Sequence, residues 1–445
     1  MLEPRADIRS QRDFKLELVC AALARRRRAA AVAASGSAVS GQGPQGSKPE
    51  PHWAGFVWED HVGRLTESEF KLRYRLAVDA FHDLADILRE DLSVQDEAKA
   101  RATKWGQLIA VETKLAIGIR FLAGGHPLDL QLIYDVGKNY VYTCVWMVVD
   151  AVNERIKVEF PLKDPQKLAR LEAEFRAHSR QGVWSGQVGA VDGVHFAMLA
   201  PTEKDVNDPL KYYVQRKHCY ALLAIAVCDY NRRFTFWDIS QTPLTHDSLA
   251  WSATELGQAV AQGELPFPYF INADAAFALS PSVVTPSGGV DDDFDFEQSS
   301  NRMPIECAFG MLIKRWGVLY KPLCVAFPRR APLVSACMRL HNFCIDRRIE
   351  DETKDINGLT NLQPEGRHQW ALTPLFDLDG APLEALDIER GPRQPIEVRQ
   401  QAKTVTRDRL MTAIRDAGLV RPMQLPPHMH RRRVGKKGRK RKQRS

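Results

Sequence analysis

An α/β domain preceded by an all-helical region is the fold class this sequence predicts, on three observations. Between residues 53 and 180 the apolar residues recur at every third and fourth position, the period of a helix. From residue 187 the stretches "QVGAVDGVHFAML", "HCYALLAIAVCDYNRRFTFWDIS" and "PYFINADAAF" are rich in β-branched, aromatic and small apolar residues, the composition of strands. Helical spacing returns from Ser248 to Ala261 and in "NRMPIECAFGMLIKRWG", and strands interleaved with helices make an α/β layer.

Taken in order, residues 1–52 hold a basic run, "ARRRRAA", and the low-complexity stretch "AAAVAASGSAVSGQGPQGSKPEP", which predicts disorder. Residues 53–180 form the helical region. Within it "HPLDLQLIYDVGKNYVYTCVWMVVDAVNERI" has two periodic segments joined at "DVGKN", where Gly137 is expected to supply the turn. That outline fits a DNA-reading helix-turn-helix or a plain helical hairpin, since the second segment offers few polar groups for bases. Residues 181–350 are the α/β domain, in which 219–228 and 234–240 flank "DYNRR" as an antiparallel hairpin. Residues 351–395 have the Pro, Gly and acidic content of a linker, 396–418 read as one helix that packs back on the core, and 419–445 form a basic tail.

Composition narrows the function. No window approaches the ~20 apolar residues of a membrane span, and the N-terminus lacks the order of a secretory signal, so an intracellular protein without membrane contact is expected. The eight cysteines form no CxxC pair, which predicts reduced core thiols rather than zinc or disulfides. Ten of the 62 Lys and Arg crowd into residues 431–445, leaving 52 basic residues against 55 acidic ones elsewhere. The tail is therefore a solubilising end, a nuclear-import signal or a phosphate-binding arm, and we expect a nuclear protein.

Three acids stand out on this map. Asp192 lies in "VGAVDGVHFAML" among the apolar alternation partners Val188, Ala190, Val194, Phe196 and Met198, so its carboxylate shares a face with the core. An ionised group there needs a compensating positive charge. Asp274 closes "YFINAD", at the end of a strand where open α/β sheets gather ligands. Glu306 edges a helix whose buried stripe is Ile305, Phe309, Leu312 and Trp316. Two aspartates at strand positions and a glutamate on a covering helix make an oxygen-rich site suited to Mg²⁺ or Mn²⁺, with two ions activating water or a hydroxyl in phosphodiester cleavage. Each acid also has a structural alternative: Asp192 capping a bend beside Gly193, Asp274 capping a following helix, and Glu306 pairing with Arg302 or Lys314. The cluster "DDDFDFEQ" near 291–297 reads as a solvated loop, and His341 in "RLHNFCI" as a hydrogen-bonded core residue.

The phrases "GAVDGVHFAM", "QRKHCYALLAIAVCD", "HDSLAWSATEL", "NADAAFAL", "NRMPIECAFGMLIKRWGVL" and "RLHNF" resemble, in order and spacing, the motifs of PIF/Harbinger-type transposases of the DDE endonuclease superfamily. The resemblance runs from about residue 65 to 346. It implies an RNase H-like mixed sheet with flanking helices in which Asp192, Asp274 and Glu306 form the metal-binding catalytic triad. It also implies second-shell or substrate roles for Asp247 and His246 in "THDSL". Arg216, Lys217 and Arg302 are expected either to contact DNA phosphate or to pair with nearby carboxylates. The function so implied is a metal-dependent DNA endonuclease and strand transferase of a cut-and-paste element, oligomeric on element ends and served by a separate Myb-like DNA-binding partner. A domesticated DNA-binding or adaptor protein without catalysis is the alternative. Two departures are the missing glycine in "ISQTPLTHDS" and Ala-Ala-Phe where small residues and Tyr are usual in "NADAAFAL".

Overall fold

The computed structural model describes residues 56–93, 109–347 and 404–422. The basic N-terminal run, the 351–395 linker and the tail from 431 lie outside the described residues.

The helical region is built from α1 (Trp58–Gly63), α2 (Glu67–Tyr74), α3 (Val78–Leu92), α4 (Val111–Leu122), α5 (Pro127–Ile133), α6 (Lys138–Arg155) and α7 (Pro165–His178). Local signals set the boundaries. Thr66 and Glu69 form a capping box that opens α2, and Asp164 caps α7 with Pro165 in its first turn. Gly137 does not make the turn between α5 and α6: it is the extended N-cap residue of α6, and Asp135 takes the left-handed conformation instead, at φ 50°. An aspartate tolerates that region because its short polar side chain bonds locally. Helix α6 buries Val141, Cys144, Val145, Val148, Val149 and Val152 and packs against α3, α4 and α5. A Cβ on Gly118 of α4 would lie 2.7 Å from Val148, so that glycine permits the close crossing of α4 and α6.

The α/β part is a mixed six-stranded sheet: β1 (Gln187–Met198), β2 (Tyr213–Val214), β3 (Cys219–Cys228), β4 (Phe234–Asp238), β5 (Phe270–Asn272) and β6 (Val283–Val284). The path runs β2-β3-β1-β5-β6, and β4 also pairs with β3. β1 and β3 are antiparallel, while β1–β5 and β5–β6 are parallel. The expected hairpin is present as β3 and β4, ending at Asp238. Arg216 and Lys217 lie just before β3 in a 3₁₀ turn, Gln215–Lys217, that ends in left-handed His218.

Helices cover both faces. On one lie α7, α8 (Asp247–Ala253) and α9 (Glu255–Ala261), around Val191, Leu223, Ile225 and Ile271. The single helix expected over 248–261 is broken at Thr254, whose hydroxyl accepts from Gly257 N at 2.9 Å and so caps a second helix. On the other face lie α10 (Asp292–Arg315) and α11 (Phe327–Asp346). Ala190, Phe196, Ala224 and Ala226 there share one core with Ile305, Phe309, Leu312 and Trp316 and with the helical region from Trp58 onward. Val188 falls on the opposite side from the other alternation partners of Asp192, because the β1–β5 register shifts between Gln187 and Gly189.

The acidic stretch 291–297 is helix, not a solvated loop. Asp291 caps α10 by accepting from Phe294 N at 2.9 Å, and Asp292, Asp293 and Asp295 sit in the first turn, where the helix dipole favours negative charge. Phe294 is buried against Trp184 and Phe270, and Glu297 pairs with Arg180 at 2.8 Å. The C-terminal helix packs back as expected, over α12 (Val405–Asp416). Its Leu410 and Ile414 complete the Phe294 cluster, and Arg407 donates to the carbonyls of Thr285 and Pro286 just beyond edge strand β6. His341 is a buried, hydrogen-bonded core residue, 2.9 Å from the Arg232 carbonyl.

Candidate active site

Asp192 sits in the middle of β1, opposite Ala226 of β3. β1 and β5 run parallel with Ala190 beside Asn272, and Asp192 and Asp274 each lie two residues further on. Residues 82 apart in sequence are thus brought to the same level of the sheet. Glu306 comes from α10, which packs across β1, β3 and β5.

The electrostatics tie the three acids together. Burial pushes the Asp192 carboxyl up to about 7; Arg302 opposes this, and the charges of Asp274 and Glu306 add to it. Arg302 is the cation at the centre. Its Nη2 lies 2.6 Å from Glu306 Oε1 and its Nη1 3.5 Å from Asp192 Oδ2. The Arg302 side chain is only 10% exposed, against 21% for Asp192 and 35% for Glu306. A buried carboxylate needs such a partner, and a forked guanidinium serves two at once.

Backbone donors fix the remaining oxygens. Asp192 Oδ1 accepts from Gly193 N at 2.8 Å, and Asp274 Oδ1 from Ala276 N at 2.7 Å in the turn after β5. The alternative read for Asp192 is therefore realised, as is the Glu306–Arg302 pair, whereas Asp274 caps a turn before β6 and not a helix, because no helix follows it there. Asp247 opens α8 on the other face: a Cβ on Gly193 would lie 2.9 Å from its Oδ1. His246 is the N-cap of α8, its Nδ1 accepting from Ser248 N. Arg302 is committed to carboxylates, and Lys217 lies in the turn before β3.

The sequence reading missed the residues that register α10 against the strands. Buried amides form a network beneath the acids. The Trp184 indole donates to Gln187 Oε1, and Gln187 Nε2 donates to the Asn301 carbonyl at 2.9 Å. Asn272 Nδ2 donates to the Gln298 carbonyl at 3.0 Å, while Gln298 Nε2 donates to Asn272 Oδ1 at 2.7 Å and to the Ala273 carbonyl at 2.6 Å. These bonds join the start of β1, the end of β5 and the middle of α10, the three elements that carry the acids. A lone Asn in the apolar "YFINAD" was a signal of the same kind as Asp192.

The donor set suits a divalent cation in kind: three hard carboxylates, one of them pushed up chiefly by burial, with its like-charged neighbours adding to the shift. Among the described residues no three His, Cys, Asp or Glu side chains close into a cage that holds a metal ion. The guanidinium of Arg302 stands between two of the acids.

A mixed sheet with helices on both faces, carrying acids on β1, after β5 and on the covering helix, is consistent with an RNase H-like fold. Residues 191–342 match the family model described as DDE superfamily endonuclease, a span that contains all three acids. Among relatives, the Arabidopsis thaliana Protein Antagonist of Like Heterochromatin Protein 1 is 25% identical over 297 residues, covering 62% of this chain and 73% of that protein. The protein named "Putative nuclease HARBI1" is 23% identical in Rattus norvegicus and 22% identical in Homo sapiens, each over 305 residues, 65% of this chain and 80% of the relative. These relatives are consistent with the Harbinger-type resemblance. No solved structure matches the chain.

Proposed function

We propose that the chain is a metal-dependent DNA endonuclease and strand transferase of a cut-and-paste element. In this reading water attacks a phosphodiester at an element end, and the freed 3′ hydroxyl then attacks target DNA. The observation that carries the reading is the placement of Asp192 on β1 level with Asp274 just beyond β5, with Glu306 on α10 joined to Asp192 through Arg302. Asp192, Asp274 and Glu306 are the residues that would hold Mg²⁺ or Mn²⁺, a pair of ions being the number the resemblance implies.

When bound, such cations supply activation of the attacking oxygen and neutralise charge on the phosphate. The protein's own residues set the stage. Asp192 keeps a proton below about pH 7 and gives it up as its charge is matched. Asp274 is oriented by Ala276 N, and Glu306 rides on a helix locked to the strands by the amide network. Asp247 and His246, at the start of α8, serve as second-shell or substrate groups. Arg216 and Lys217, with Arg302 once it leaves the carboxylates, are the phosphate contacts we propose. Helix α6 spends its apolar face inside the bundle, which favours a separate Myb-like DNA-binding partner for reading sequence. The basic tail would carry the protein to the nucleus, and element ends would be held by an oligomer.

A second reading, a domesticated adaptor without catalysis, is favoured by one observation: Arg302 already neutralises two of the acids. Titrating Mn²⁺ into the purified chain on a short DNA duplex separates the two, with Asp192→Asn as control. Metal bound by wild type and lost in the variant, with Mn²⁺-dependent nicking of the duplex, supports the nuclease. DNA binding without metal binding makes the adaptor the better reading.

A further inference from the structure

We propose that Arg302 is a resident counter-cation of the acidic site, which occupies the place between Asp192 and Glu306 until a divalent ion displaces it. The inference rests on the metal-dependent reading above and concerns how that site is loaded.

Three observations carry it. Arg302 spans two of the three acids, at 2.6 Å and 3.5 Å, from a position one helical turn before Glu306 on α10. Its side chain is 10% exposed, against 21% for Asp192 and 35% for Glu306, so the guanidinium is withdrawn from solvent, unlike an exposed surface ion pair, which would count for little. Among the described residues the acids do not close into a group that could hold a metal ion. An arginine stays charged at any physiological pH, so it cannot make room by losing a proton; the guanidinium itself must move.

The consequence is a competition between two cations for one set of oxygens. Without Arg302 the carboxylates would repel one another, and the cluster would be open to solution cations. With it, the site is held together but divalent ions bind less tightly than the three carboxylates alone would allow. Loading and Arg302 release are then a single equilibrium, in which each side weakens the other by the same factor.

The test is an Mn²⁺ titration followed by electron paramagnetic resonance on the full chain, with thermal denaturation in EDTA and in Mn²⁺ alongside. Wild type, Asp192→Asn, Arg302→Gln and Arg302→Lys are compared. Removing a charge a few ångströms from the ligands should tighten Mn²⁺ binding by about tenfold or more in Arg302→Gln. The same variant should be less stable than wild type in EDTA and gain more from Mn²⁺, because ligand binding to the folded state scales with affinity. Arg302→Lys keeps the charge but loses the fork that spans both acids, so its affinity should fall between the two. Should Arg302→Gln not fold, Arg302→Lys decides: binding tighter than wild type supports displacement, and unchanged or weaker binding overturns it. Equal or weaker Mn²⁺ binding by a folded Arg302→Gln overturns the inference while leaving the metal-dependent reading intact, provided wild type binds and Asp192→Asn does not. No binding by wild type or by any Arg302 variant overturns both. Binding by Arg302→Gln but not wild type supports displacement in its strongest form.

Discussion

Replacing Asp192 by asparagine should stabilise the metal-free protein at alkaline pH. The carboxyl is pushed from 3.8 to about 7, chiefly by burial, with Arg302 opposing and Asp274 and Glu306 adding. At about 1.36 kcal/mol per pKa unit, ionising it in the folded state costs at most about 4 kcal/mol. The side chain is 21% exposed, so solvent reduces the measurable effect to about 2 kcal/mol. The sign follows from proton binding: between pH 4 and about 7 the folded chain holds a proton that the unfolded chain has lost, so stability falls as pH rises through that window. The penalty is complete above about 7 and absent below about 4. Asparagine accepts from Gly193 N as aspartate does but never ionises. In EDTA at pH 8 the variant should therefore melt about 4–8 °C above wild type, and at pH 4.5 the two should converge. Thermal and urea denaturation at pH 4.5, 6 and 8 measure this. Equal or lower stability of the variant at pH 8, with parallel pH dependence, refutes the reasoning. Mn²⁺ should reverse the order, raising the wild-type melting temperature alone.

Other perturbations probe the scaffold. Asn272→Leu removes three buried amide bonds between β5, β1 and α10 and should cost about 2–4 kcal/mol; at temperatures where the variant stays folded, Mn²⁺ affinity should fall with it. Phe294→Ala empties the cluster of Trp184, Phe270 and Leu410 and should cost about 3–5 kcal/mol by urea denaturation, whereas a solvated loop at 291–297 would show almost no change. Gly193→Ala puts a methyl 2.9 Å from Asp247 Oδ1 and 3.3 Å from Ile225 Cδ1, which should destabilise by about 1–3 kcal/mol; a melting temperature equal to wild type would mean that α8 gives way freely.

Much of the domain was legible because it rests on local periodicity. Alternation along β1, the continuous apolar run of β3 and the helical stripe Ile305, Phe309, Leu312 and Trp316 all place their residues where the core lies. The three acids were legible as charges set in apolar surroundings. The acidic start of α10 was not: charge density and flanking Gly and Ser read as loop, while the helix is held by a cap, a dipole and the burial of Phe294, the last of which depends on other parts of the chain. Gly137 misled in the other direction, since the neighbouring Asp135 makes the left-handed turn. Thr254, by contrast, broke the Ser248–Ala261 helix through a purely local cap that periodicity alone does not register.

What the sequence by itself determined is which residues are buried, which elements they form and which acids are expensive to bury, because these follow from side-chain chemistry and from periods of two and 3.6 residues. What only the tertiary structure decided is company. The pairing of β1 with β5 sets Asp192 level with Asp274, α10 carries Glu306 and Arg302 over them, and buried amides fix the register. Such contacts join residues from 26 to 114 positions apart, and their strength depends on distance and exclusion of water, neither of which a linear pattern contains.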